Sequence, residues 1–266
     1  MKTADPVLAY PTFPSSIPDV MDTAGAYALR FARTADDLDR VTKLRFEVFN
    51  LELSEGLAQS WRTCRDHDEF DAQCHHMMVV HTETEEVVGT YRLQTAEMAR
   101  AGRGFYSDAE FDLATLGDEF LSQAVELGRA CVALSHRNSR VLFLLWRGLA
   151  KYVFHNGHRY FFGCCSLTSQ DPDEAWHVRQ KLIRREQMHP TLSAAPRPEV
   201  ACFGPDYTPP AETEDAFIPR LMRTYLDYGA RIAGDPVIDR DFKTIDFLAV
   251  FDMESITPRV RRLFVD

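Results

Sequence analysis

Four short segments of this 266-residue chain set ionisable residues among apolar ones: Arg45-Phe-Glu-Val-Phe49, Asp68-Glu-Phe-Asp71, Gly89-Thr-Tyr-Arg-Leu93 and Glu126-Leu-Gly-Arg129. A charge buried without a partner is costly, so these side chains are expected to meet one another or a polar ligand. Glu126 and Arg129 carry the sharpest chemical implication. They lie three apart on a predicted strand, where strict alternation would send them to opposite faces. Gly128 between them permits a bulge that turns both toward one cleft. There a carboxylate can take, directly or through a water, the proton that an amine loses on acylation. Backbone N–H groups freed at the bulge can hold the negative charge that develops on a thioester oxygen. The alternative for the same two residues is a buried ion pair that only orders the sheet.

Other chemistries fit the sequence less well. Asp66, Asp68, Glu69 and Asp71 crowd four carboxylates into six residues. A calcium loop fails there, because Phe70 stands where a third side-chain ligand is needed and the following glycine is missing. The cluster is then either a solvated acidic loop or, through Asp68 and Asp71, a holder of an ammonium group or of the arginines in the other segments. Cys164-Cys165-Ser166 ends a predicted strand with no GxSxG elbow around it and no assignable base, so a core role is expected. His75 and His76 next to Cys74 alternate across a strand and do not converge easily on a metal. Attack of an amine on a thioester needs positioning, a proton acceptor and oxyanion donors, so neither a metal nor a redox cofactor is expected.

The elements that must position these residues follow from hydrophobic period. Strands are predicted over Tyr27 to Ala32 and Val125 to Leu134, with a hairpin of Met77 to His81 and Val87 to Leu93 turning at the polar run from Glu83 to Glu86. A helix is predicted over Asp36 to Leu51 and a buried one over Ser139 to Phe154, followed by a strand over His158 to Cys164, so that this stretch reads as a βαβ unit. Asp173 to Arg185 reads as another helix, with Asp171 as N-cap and Pro172 in its first turn. The order β, α, β-hairpin, β, α, β, α is similar to that of GNAT acyltransferases and implies an α/β (α+β) fold, a mixed central sheet flanked by helices. Residues 1–24, with Pro6, Pro11, Pro14 and Pro18, read as an extended arm, and 25–266 as one domain. Its elaboration from about residue 190 opens with a proline-rich stretch, Pro190 to Pro210, and continues with a helix from about Glu214 to Ala233 and a strand from Thr244 to Asp252. Some 60 residues would be marginal as a separate domain.

Composition narrows the setting. With 45% hydrophobic and 26% charged residues the chain is an ordinary globular one. Its six cysteines form no CxxC pair, and no basic segment followed by an apolar run opens the sequence, so a cytoplasmic protein is expected. The longest apolar run, Val141 to Trp146, is cut by Arg147, far short of a membrane span. A net charge of -10 argues against nucleic-acid binding. Yet Arg129 to Arg185 holds ten Lys or Arg against three Asp or Glu, a basic face suited to an acidic protein or to peripheral contact with the anionic inner-membrane surface.

The four segments, in this order, resemble the acyl-homoserine lactone synthases and the long-chain N-acyl amino acid synthases. In that resemblance Arg45 and Phe49, Asp68 and Asp71, Arg92, and Glu126 with Arg129 form the pocket. The lactone synthases also carry a Trp soon after the Phe, whereas here Trp61 lies twelve residues on, which sets the chain apart from lactone formation. It is more similar to the ornithine-acyl carrier protein N-acyltransferases, also called haemolysin-like. The motifs that carry this are Asp68-Glu-Phe-Asp-Ala-Gln-Cys74, Val88-Gly-Thr-Tyr-Arg-Leu93, Gly104-Phe-Tyr-Ser107, Glu110-Phe-Asp-Leu113, Glu126-Leu-Gly-Arg129, Leu145-Trp-Arg-Gly148, Phe162-Gly-Cys164 and Tyr225-Leu-Asp-Tyr-Gly229. The resemblance implies an enzyme of lipid biosynthesis that moves a long-chain acyl group from acyl carrier protein to the amino group of ornithine, glycine or a similar small amino acid. Glu126 and Arg129 would be catalytic, and Arg45, Phe49, Asp68, Asp71 and Arg92 would bind substrate. GNAT enzymes that use coenzyme A resemble one another in a Gln/Arg-x-x-Gly-x-Gly/Ala loop before the helix, but this chain reads Arg137-Asn-Ser-Arg-Val-Leu142. Arg137 and Arg140 are therefore expected to meet the phosphodiester of a phosphopantetheine arm and the acidic carrier behind it. The alternative of another class is a noncatalytic lipid- or carrier-protein-binding module on the same fold.

Overall fold

The computed structural model describes residues 10–211, 215–257 and 260–262. In chain order it contains β1 (Thr23–Ala24), β2 (Tyr27–Phe31), α1 (Ala35–Phe46), β3 (His75–His81), β4 (Val87–Thr95), α2 (Ala96–Ala101), β5 (Phe111–Asp112), α3 (Asp118–Ser122) and β6 (Ala124–Val132). These are followed by α4 (Ser139–His155), β7 (Tyr160–Leu167), α5 (Pro172–Arg184), β8 (Ala195–Pro196), α6 (Arg220–Tyr228), β9 (Arg231–Ile232), β10 (Val237–Asp239) and β11 (Thr244–Asp252). One mixed sheet runs in the order β1-β2-β3-β4-β6-β7-β11-β10, with β9 also paired to β11. Every pair in it is antiparallel except β6 with β7. The predicted α/β architecture is the one found.

Helices close both faces. On one, α4 packs Val141, Leu145 and Leu149 against Leu29, Met77, Val79 and Leu93. At Gly148 an added Cβ would overlap the Met77 sulfur, so this glycine sets how closely the helix approaches the sheet. On the other face α1 lays Val41 on Met78 and Val80, and Leu44 on Cys131 beside Val48 of the turn that follows the helix. Thr34 and Asp37 cap α1 reciprocally, and Asn138 caps α4 through the N–H groups of Arg140 and Val141. Among the described residues no helix is long and apolar enough to cross a membrane.

Three expectations are corrected. The helix predicted to Leu51 stops as an α-helix at Phe46 and continues as a wider π-helical turn over Glu47–Glu52. The helix predicted from Glu214, which lies outside the described residues, to Ala233 is limited to Arg220–Tyr228. Gly229 (φ 114) ends it in the left-handed region, and the following residues leave to pair with β11. The arm of residues 1–24 lies outside the described residues up to residue 9. From Tyr10 onward it is laid against the scaffold, with Ile17 buried in the core and Asp22 paired to Arg147 and Lys151 on α4. The polar bonds that fix it leave no periodic trace in sequence.

The anchor of this segment is His75, which is fully buried. Its Nε2 is 2.7 Å from the Thr12 carbonyl oxygen, which can only accept, so Nε2 carries the proton and Nδ1 accepts from the Tyr152 hydroxyl at 2.8 Å. Burial pushes the imidazole down to about 4 from its ordinary value of 6.5. Between those two values the unfolded chain binds a proton that the folded one refuses, so His75 makes stability fall as pH falls through this window. Urea unfolding should show about 2 kcal/mol of this loss between pH 7 and pH 5. His75→Gln should flatten that slope, and an unchanged slope in the variant would count against the assignment.

Candidate active site

Four elements bring the charged segments together. Arg45, in the last turn of α1, is wholly buried; its Nε donates to Asp66 Oδ2 at 2.9 Å and its Nη1 to Asp71 Oδ1 at 2.7 Å. Arg92 on β4 donates through Nη1 to both oxygens of Asp68 at 2.7 Å and to Asp71 Oδ1 at 3.2 Å. Arg129 on β6 donates through Nη2 to Asp68 Oδ2 at 2.8 Å, and its Nε lies 3.6 Å from Asp66. Burial works against ionisation of Asp71, but Arg45, His76 and Arg92 outweigh it and hold the carboxyl well below the usual range. Asp68 is lowered by the same balance, with Arg92 its principal cation.

Asp68 and Asp71 therefore hold the arginines of the other segments. The expectation that Arg45 and Asp71 bind substrate is corrected: both side chains are fully buried behind the cleft wall, where they fix the two arginines that face it. Asp66 completes this lattice. In sequence Asp66 is only one of four crowded carboxylates.

The bulge exists, displaced by one residue from where it was expected. Thr90 pairs with Cys131 and Arg92 with Gly128, so that Arg129 and Ala130 stand opposite Tyr91 alone. Arg129 itself takes the strained conformation (φ 50), which turns its side chain to the face that Glu126 occupies. Its guanidinium lies 4.8 Å from the Tyr106 ring centroid and 4.2 Å from that of Phe242.

Glu126 forms no ion pair with an arginine among the described residues. Its Oε2 accepts from the Tyr106 N–H at 2.9 Å and its Oε1 from the Ser107 N–H at 2.7 Å. Burial raises its pKa, opposed by these bonds and by the charge of Arg92. The carboxylate is thus held in place by backbone and stays more basic than an exposed glutamate.

The parallel strands β6 and β7 pair only as far as Glu126 with Phe162, then separate. Gly163 marks the parting point, where an added Cβ would overlap the Leu127 carbonyl oxygen. Between the diverging strands lies a cavity of about 300 Å³. Its polar end presents Arg92, Glu126, Arg129, Asp239 and Asp246, and its apolar end Tyr91, Trp146, Phe161, Tyr225 and Phe251. Phe49, on the π-helical turn, lines it edge-on to Phe242. Arg137 and Arg140 lie outside the cavity at the start of α4, and Arg137 pairs with Glu52 at 2.6 Å.

Tyr106, Ser107, Phe242 and Asp246 were not singled out as site residues from sequence. Tyr106 and Ser107 fall within Gly104-Phe-Tyr-Ser107, and Asp246 interrupts an apolar face of a strand, so the signals were present.

The family profile described as "Acetyltransferase (GNAT) domain" matches residues 44–147, which span the end of α1 to the middle of α4. Among solved structures the chain is similar to the AHL synthase LasI, with 11% identity, a TM-score of 0.49, and coverage of 90% of this chain and 94% of that one. Among curated proteins it is 28% identical to the L-ornithine N(alpha)-acyltransferase of Rhodobacter capsulatus over 90% of this chain and 95% of that protein. It is 32% identical to the L-ornithine N(alpha)-acyltransferase of Agrobacterium fabrum strain C58, over 88% of this chain and 84% of that protein. To the L-ornithine N(alpha)-acyltransferase of Rhizobium meliloti strain 1021 it is also 32% identical, over 91% of this chain and 85% of that protein. The chain belongs to this family of N-acyltransferases.

Proposed function

We propose that the cleft transfers a long-chain acyl group from acyl carrier protein to the α-amino group of ornithine or a similar small amino acid. The observation that carries this reading is the continuity of one cavity from an aromatic slot to a backbone-held carboxylate beside Arg129. The slot, closed by Trp146, Tyr225 and Phe251, suits an acyl chain and the end of its thioester arm. The acceptor carboxylate faces Arg129, a cation in the cavity wall.

The amine attacks the thioester carbonyl while Glu126 takes the N–H proton, directly or through a water. N–H groups left unpaired at the bulge receive the oxyanion as it forms. When the tetrahedral centre collapses the C–S bond breaks, and the departing thiolate takes up the proton held by Glu126. Glu126 acts in its deprotonated form, so the rate falls as pH falls through its pKa, and burial places that fall above the ordinary carboxylate range. Glu126→Gln should lower kcat by roughly 10²- to 10⁴-fold and abolish this acid limb. A variant that keeps both rate and limb would remove Glu126 from the chemistry.

The start of α4 supports the carrier as donor. Asn138 Oδ1 occupies the N–H groups of Arg140 and Val141, which in a diphosphate site would face the ligand. Arg140, with Arg137 if it exchanges its Glu52 partner, then offers cations for a single phosphodiester and an acidic carrier. The double change Arg137→Glu with Arg140→Glu should raise KM for acyl carrier protein about tenfold at low salt. Equal kcat/KM for matched acyl-coenzyme A would refute the carrier.

Peripheral contact with an anionic membrane is supported by Phe217 (75% exposed), which shares a surface hollow with Lys181, Arg185, Asp215 and Arg223, and by the exposed Leu221 next to Arg220 in α6. Leu221 and Pro219 also line the cavity, so this face adjoins the slot in which the acyl chain is proposed to lie. Vesicle flotation should show weak, salt-sensitive binding to anionic vesicles and none to neutral ones, and Phe217→Asp should reduce it. Equal recovery with both vesicle types at low salt would refute the contact.

A further inference from the structure

Beyond Ser107, three groups that take no part in the acyl-transfer step gather at the edge of the cleft, where the charge of Arg129 reaches Asp246 without forming an ion pair with it. Glu110, Cys164 and Asp246 place one carboxylate oxygen, the sulfur and another carboxylate oxygen within 4.8 Å of one another. Asp246 is 4% exposed and lines the cavity, and Glu110 is 6% exposed. The hydroxyls of Ser166 and Thr244 reach the Asp246 carboxylate, yet its Oδ1 has no hydrogen-bond partner among the described residues. An ionisable oxygen with less than a twentieth of its residue exposed, unpartnered and beside a cavity, calls for a cation there.

We propose that Asp246, with Glu110 and the Cys164 sulfur beside it, seats the side-chain ammonium of the acceptor, so that the cleft selects a dibasic amino acid. This rests on the acyl-transfer reading above and assigns the residues that discriminate among acceptors. The spacing suits it. Glu126 accepts from the Ser107 N–H, the Ser107 hydroxyl lies 3.5 Å from Cys164 Sγ, and that sulfur donates to Glu110 Oε2 at 3.1 Å. One residue thus separates the carboxylate that deprotonates the α-amine from the acidic pair. The two nitrogens of a five-carbon diamino acid lie five bonds apart, roughly 6 Å when extended. Asp239 also lines the cavity, but its Oδ1 is taken by the N–H groups of Asp241 and Phe242.

Burial and the neighbouring Glu110 push the Cys164 thiol well above its ordinary value, so with no cation beside it the thiol keeps its proton and donates to Glu110. Burial and the charge of Asp246 likewise raise Glu110, and burial raises Asp246 to about 6. An entering cation would relieve this unfavourable grouping.

The test compares ornithine with norvaline, which lacks only the terminal amino group, using saturating acyl carrier protein donor. The wild-type enzyme should favour ornithine in kcat/KM by on the order of 10- to 100-fold, and Asp246→Asn should shrink that ratio toward one. Glu110→Gln should shrink it in the same sense, and it carries the test if Asp246→Asn does not fold. An unchanged ratio in both variants, or equal losses on both acceptors, would overturn the proposal. Binding of the free amino acids, followed by saturation-transfer NMR, separates this outcome from failure of the acyl-transfer reading. Ornithine bound ahead of norvaline through Asp246 without turnover would sink that reading and keep the ammonium seat. Equal binding of the two would overturn the seat. Stoichiometric zinc in the purified enzyme, lost in Asp246→Asn, would overturn it as well by making the trio a metal site.

Discussion

Three arginines and three aspartates, largely closed out of water, form the constraint on which the rest of the site depends. Arg45, Arg92 and Arg129 meet Asp66, Asp68 and Asp71 in a lattice whose formal charges cancel. Desolvating six charges is expensive, and their mutual attraction offsets the cost only if each ion keeps its partners. Removing one partner leaves an uncompensated buried charge, a loss of about 3–5 kcal/mol. That penalty ties together α1, the loop from Asp66 to Asp71, β4 and β6, none of which could fix Arg129 by apolar packing alone. The lattice also screens the cleft. Arg92 and Arg129 reach it already neutralised by aspartates behind them, so the opening is not strongly cationic and Glu126 is not captured as a salt bridge.

Backbone geometry then turns this support into a reactive arrangement. A regular β6 would put Glu126 and Arg129 on opposite faces, and a regular β6–β7 pair would leave no space between them. The strained Arg129 corrects the first, and the parting of the strands beyond Glu126 and Phe162 corrects the second. Each departure costs ladder hydrogen bonds, which the nine-stranded sheet can bear because β7 recovers a full antiparallel partner in β11. The C-terminal elaboration is thus part of how the cleft is kept open, and it contributes Phe242 and Asp246 to the wall.

Much of this was legible in the sequence because buried charge stands out against an apolar background. Arg45, Asp68, Asp71, Arg92 and Arg129 could be grouped on that ground, and Gly128 announced the bulge, although the strained residue is its neighbour. Sequence could not tell which charges face the cavity and which stand behind it. Arg45 and Arg92 look alike as arginines beside aromatic residues, and only the packing of α1 on the sheet separates them. Tyr106 and Ser107 contribute through backbone N–H groups, which every residue has, so their type gave no hint of the role. The docked segment from Tyr10 to Asp22 was hidden for a related reason: it is fixed by polar bonds to His75, His155, Asn156, Arg147 and Lys151, and these follow no period.

Asp246 shows where a sequence signal was present and unused. Along β11, Ile245, Phe247, Ala249 and Phe251 alternate with Asp246, Leu248 and Val250, and both sets are largely buried. A carboxylate on such a face works against stability wherever it lacks a partner, and one of its oxygens lacks one. In the lattice each charge has a partner of opposite sign, although Asp66 Oδ1 and Arg129 Nε make no hydrogen bond, whereas among the described residues no ion pair joins a cation to the acidic pair near Cys164. The same protein has therefore closed one charged cluster and left the other unsatisfied at the edge of its cavity. This contrast separates the cluster that builds the site from the one proposed to discriminate among acceptors. Charge cancelled within the fold can only position other groups, while charge left uncancelled at a cavity favours a ligand of the opposite sign.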